Sequence, residues 1–164
     1  MSTTTTATTT SLDARRLISP AEFEGVVATV LDNNEGMAPA DAERITEEAI
    51  KFVATAARGR GGMRPSRTVD EGWHALILHT RVYAALCRRV GRFVHHIPER
   101  PDPTRHDPSA LEATQARITA AGYEVDRTLW LGPSNGSVPV AAGCEHTSCG
   151  DSNCEANCSE THPN

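Results

Sequence analysis

The stretch from Thr68 to Pro98, TVDEGWHALILHTRVYAALCRRVGRFVHHIP, constrains the fold more than any other part of the chain. It holds one of the two tryptophans, one of the two tyrosines and four of the seven histidines. Val69, Trp73, Leu76, Ile77, Thr80, Ala84 and Cys87 fall along one face at helical spacing, which predicts a central helix with a core-facing side. Thr68 and Glu71 have the spacing of a capping box, so the helix is expected to start there. Gly91 fits the left-handed position just past a helix end, and Arg88 and Arg89 occupy the last turn, where the helix dipole favours cations. Trp73 is the expected core anchor, and Cys87 is expected as a small buried hydrophobe.

Other helices flank this one. Ser19-Pro20 reads as an N-cap followed by proline in the first helical position. Phe23, Val26, Val27, Val30 and Leu31 then form a single apolar stripe. A second helix is expected from about Pro39 to Arg58, with Ile45, Ala49, Phe52, Val53 and Ala56 facing inward. The run from Arg58 to Pro65 is a flexible basic connector. With no Gly-Lys-Ser/Thr ending and no strand before it, it is not a phosphate-binding P-loop. After Gly91 the chain reads as extended from Arg92 to Ile97, then as a proline-broken surface loop to Asp107. Asp107 and Pro108 start a last helix that ends at Gly122, with Leu111, Thr114, Ile118 and Ala121 on its apolar side. A short turn over Asp126 to Leu131 would place Trp130 against the bundle. No convincing alternating strand pattern occurs. The expected fold class is all-α, a small four-helix assembly over residues 12–137. Residues 1–11 form a threonine-rich arm too poor in apolar groups to pack, expected to be disordered. Residues 138–164 form an acidic, cysteine-rich tail.

Composition removes several function classes. The net charge of −5 argues against nucleic-acid binding, which needs a basic surface for phosphates. No run of apolar residues is long enough to span a membrane. The N-terminus has neither the basic nor the apolar region of a secretory signal, so cytoplasm is the expected compartment and cysteines there should be reduced or metal-bound. No nucleophile elbow, Ser/His/Asp order or paired-carboxylate signature marks a hydrolase. What remains is a partner of unknown kind, protein or small molecule.

The histidines carry the chemistry of the central stretch. His74 and His79 are five residues apart and point about 140° away from each other on a helix, so they cannot clamp one ion between them. Asp70 lies one turn before His74. A carboxylate there can accept the second imidazole N–H and fix its tautomer, as the outer partners of metal-bound histidines do. His95 and His96 sit in an extended segment and face opposite ways. One of them can turn back to join His74 or His79 in a metal site. The competing reading is structural: a buried Asp70–His74 hydrogen bond, with His79 at the core edge and His95-His96 partly exposed.

The run Val69-Asp70-Glu71-Gly72-Trp73-His74, followed by Leu78, Thr80, Tyr83, Cys87, Gly91 and His95-His96, resembles a set of uncharacterised small actinobacterial proteins. More distantly it resembles the glycine-rich domain-containing-protein-like family over about thirty residues. The acidic residue followed by Trp-His is the most specific element. That family commonly has a second histidine two residues later, where this chain has Leu76. The resemblance implies the helical architecture and carries no activity.

The tail offers a separate set of ligands. Cys144, Cys149, Cys154 and Cys158 follow one another at short, even spacing, with His146 among them. Four thiolates meet the ligand count of a tetrahedral zinc site, and soft thiolates also suit other transition metals. An inert acidic extension and a modifiable Cys/Ser/Thr-rich peptide behind a leader-like domain are the alternatives. Zinc or another transition metal is the expected cofactor if the chain has one. Four capped helices predict that residues 12–137 alone give a strongly helical far-ultraviolet spectrum and melt cooperatively. A β-dominated spectrum would overturn the architecture.

Overall fold

Five α-helices and two short 3-10 turns make up the computed structural model, which describes residues 11–59, 61–97 and 108–132. Among these residues there is no β-strand element. The helices are α1 (Pro20–Asn33), α2 (Pro39–Ala56), α3 (Arg67–Leu78), α4 (Thr80–Val90) and α5 (Pro108–Ala120). The 3-10 turns cover Ala14–Leu17 and Arg127–Leu129. The threonine-rich arm, the proline-broken loop and the cysteine-rich tail expected from the sequence lie outside the described residues, apart from Ser11.

Local chemistry sets the helix starts. Glu22 N–H donates to Ser19 Oγ, and Ser19 N–H donates to the Glu22 carboxylate at 2.7 Å, a reciprocal cap for α1. Phe23, Val26, Val27 and Val30 are buried along α1 as the stripe requires. α2 is the centre of the bundle. It packs against α1, α3, α4, α5 and the first 3-10 turn. Ile45, Ala49, Ile50, Phe52, Val53 and Ala54 are all buried on it, a wider face than one stripe, because neighbours surround it. α3 lies across α2 at Gly72, where an added Cβ would stand 2.7 Å from the Ile45 carbonyl oxygen and 3.0 Å from Ala49 Cβ. Trp73, the next residue, has no exposed surface and packs on Phe52 with ring centroids 5.1 Å apart.

The 68–90 stretch departs from expectation in three ways. α3 starts earlier, capped by Ser66, whose Oγ accepts the Val69 N–H at 3.1 Å. Glu71 is not in a capping box, because its carboxylate accepts from Asn34 Nδ2 at 3.0 Å across to the end of α1. The helix is also not continuous. At His79 the backbone leaves helical geometry, with φ −83° and ψ 64°. The ring of His79 there turns to α1, with Nε2 2.8 Å from Thr29 Oγ1. The break gives five helices rather than four and leaves Thr80 exposed, off the core face assigned to it. α4 ends as expected at Gly91, φ 98°. Burial pushes the Cys87 thiol above its ordinary range, against the opposing effect of contacts to Val94 and Tyr83. Cys87 is therefore the inert apolar residue its position suggests.

The described part of the glycine-rich connector contacts the bundle at several points. Met63 is buried, Arg64 N–H donates to Thr114 Oγ1 at 3.0 Å, and Arg117 donates to the Gly61 carbonyl. Arg92 donates to the carbonyls of Ala56 and Gly59, at and just past the C-terminus of α2. The turn after α5 does place Trp130 on the bundle, packed on Phe52. Its indole N–H donates to Glu48 at 2.7 Å, and Asp126 N–H donates to the same carboxylate. Lys51 completes this network with Glu48 at 2.8 Å, Glu47 at 2.9 Å and the Glu124 carbonyl at 2.9 Å. Burial pulls the Lys51 ammonium down, but the two carboxylates outweigh it and hold it above its ordinary range.

Trp73→Ala should cost ~3–5 kcal/mol in urea unfolding, the range for emptying a large aromatic site. Gly72→Ala should cost about 1–3 kcal/mol by forcing α3 off α2. A neutral Gly72→Ala would show that the α2–α3 approach can relax freely.

Candidate metal centre

Asp70 and His74 lie one turn apart on α3, the spacing that brings two side chains onto one helix face. The third group comes from elsewhere. After Gly91 the chain runs without regular secondary structure to Ile97, and it alternates. Phe93, His95 and Ile97 are exposed, Val94 is buried, and His96 turns inward, as a period of two dictates for extended chain. His96 Nε2 stands 3.2 Å from one Asp70 oxygen, and His74 Nε2 stands 3.4 Å from the other. One potential ligand atom from each of the three residues lies within 4.8 Å of the other two.

These separations suit an ion. A tetrahedral centre with bonds of about 2.0–2.1 Å spaces its ligand atoms about 3.3 Å apart. The Asp70 carboxylate is almost wholly buried, the His96 side chain is 9% exposed and the His74 side chain is 29% exposed. Access is therefore from the His74 side. A buried carboxylate is costly without a positive or strongly donating partner, and two imidazoles or a divalent cation each meet that need. Trp73 forms a wall, its ring edge-on to His96 with centroids 4.5 Å apart, and the His74 and His96 rings are also 4.5 Å apart.

The structure thus brings together Asp70, His74 and His96 and, among the described residues, leaves His79 and His95 apart from them. His79 is held by Thr29 on α1. His95 is exposed, with its ring against Phe93 at 4.8 Å. Asp70, expected only to orient a histidine, has one oxygen beside each of the two imidazoles, at 3.2 and 3.4 Å. Cys144, His146, Cys149, Cys154 and Cys158 lie outside the described residues.

One part of the site has no signal in the sequence. Tyr83 Oη accepts the Trp73 indole N–H at 2.9 Å and donates to the Val94 carbonyl, both from buried positions. Trp73 and Tyr83 are ten residues apart with a helix break between them, so no periodicity joins them.

A family model described as UCP032817-like matches residues 14–109, more than half of the chain and all three clustered residues. The chain belongs to that family, which is uncharacterised. No curated protein and no solved structure matches it.

Proposed function

We propose that this member of the UCP032817-like family is a small helical metal-binding protein that holds a divalent transition-metal ion, zinc first among them, on Asp70, His74 and His96. The observation that carries the reading is the convergence of three ligand atoms, from α3 and from the segment after α4, within 4.8 Å. Two imidazoles and a carboxylate suit zinc, iron(II), cobalt(II) or nickel(II), whereas copper(I) prefers the softer thiolates of the tail. Solvent reaches the centre past His74, so a small molecule or protein group that meets the ion does so from that side. The tail cysteines Cys144, Cys149, Cys154 and Cys158 form an independent thiolate site in this reading.

A second reading has support of its own. His96 Nε2 lies 3.2 Å from Asp70 Oδ1, a hydrogen-bond distance, so the cluster can serve as a buried polar clasp in an interaction protein without cofactor.

The two separate on measurement. Full-length protein purified without chelator or nickel should retain near-stoichiometric metal when the four tail cysteines are replaced by serine. Asp70→Asn and His96→Ala should each weaken binding by at least ~100-fold, more than the ~10–100-fold typical of an outer partner. His79→Ala should leave affinity unchanged. Metal lost with the tail cysteines alone would move the chemistry to the tail. No metal in any variant, with Asp70→Asn costing only the ~1–3 kcal/mol of a disturbed buried hydrogen bond, would establish the clasp instead.

A further inference from the structure

The geometry points to Tyr83 as the positioning residue of the metal centre, the group through which α4 fixes where His96 stands; this rests on the metal reading above. His96 lies in a segment without helix or strand pairing, so its own backbone does not determine its place. Arg92 ties the start of that segment to the end of α2, and nearer the ligand the Tyr83 hydroxyl donates to the carbonyl of Val94, two residues before His96. Two residues is one full repeat of extended chain, so the side chains of Val94 and His96 point the same way. Val94 is 1% exposed and packs inward, and His96 follows it towards Asp70.

The same hydroxyl acts on the other half of the site. It accepts the indole N–H of Trp73 at 2.9 Å and so sets the tilt of the ring that stands edge-on to His96. Trp73 lies between Asp70 and His74 on α3. One oxygen atom therefore joins the element carrying two ligands to the segment carrying the third. A phenol suits this place because it accepts one hydrogen bond and donates another from the end of a rigid ring. Phe93, half exposed, packs edge-on to Tyr83 with centroids 5.3 Å apart and steadies the ring from outside.

The test uses the full-length chain with the four tail cysteines replaced by serine, loaded with cobalt(II) as the probe. Tyr83→Phe should keep its helicity yet weaken cobalt binding about tenfold, the lower end for an outer partner. It should also change the intensity of the visible cobalt bands, which report ligand geometry and which a merely structural tyrosine would leave alone. Trp130→Phe is the control. It loses a buried hydrogen bond to Glu48, a residue outside the Asp70–His74–His96 cluster, and should leave affinity within about twofold. Phe93→Ala alters only an exposed ring and should weaken binding about two- to tenfold, in line with the loss of one aromatic contact. Unchanged affinity and spectrum in Tyr83→Phe overturn the inference while leaving the metal reading standing. If Tyr83→Phe fails to fold, unchanged binding in Phe93→Ala does the same. A parent protein that takes up no cobalt removes both.

Discussion

The approach of α3 to α2 at Gly72 is the constraint on which the rest depends. With 2.7 Å between an imagined Cβ and the Ile45 carbonyl oxygen, any other residue would hold the two helices apart. That closeness lets Trp73 bury completely against Phe52 and sets the depth of Asp70 below the surface. A carboxylate so deep needs its partners supplied by the fold itself. The imidazoles of His74 and His96 stand where that requirement puts them.

The buried carboxylates of Glu48 and Glu71 obey the same rule. Glu48 on α2 is 1% exposed, and its two oxygens receive Lys51, the Asp126 amide and the Trp130 indole. Glu71 on α3 receives Asn34 at the end of α1. Each of these networks joins elements distant in sequence. Leaving one buried donor or acceptor unmatched costs about 1–3 kcal/mol, so the networks restrict the registers in which the helices can pack. The cluster around Asp70 differs in having one edge, His74, open to solvent.

Helix existence is legible from periodicity and caps. The stripes Phe23–Val26–Val27–Val30 and Ile45–Ala49–Phe52–Val53 are buried as their spacing requires, and Ser19-Pro20 and Gly91 mark boundaries. The start at Ser66 is masked because Thr68 and Glu71 imitate a cap, while the true partner of Glu71 lies 37 residues away. The break at His79 is hidden for a related reason: its compensating contact is with Thr29 on another helix. In the site, the Asp70–His74 pair can be read from i, i+4 spacing, and the inward turn of one member of His95-His96 from alternation. Which of the two turns inward is set by tertiary contacts of the segment, the burial of Val94 and its bond to Tyr83 among them, which local pattern does not show.

The sole lysine of the chain gives the Glu48 network a consequence for covalent chemistry. The Lys51 side chain is 9% exposed, is held protonated by two carboxylates and donates to a backbone carbonyl as well. An acylating reagent needs the free amine with its lone pair accessible, and the folded protein presents Lys51 as neither. Its ε-nitrogen becomes a target only when α2 and the turn carrying Glu124 to Trp130 separate. Acylation of that nitrogen is thus a record of how often this part of the bundle opens.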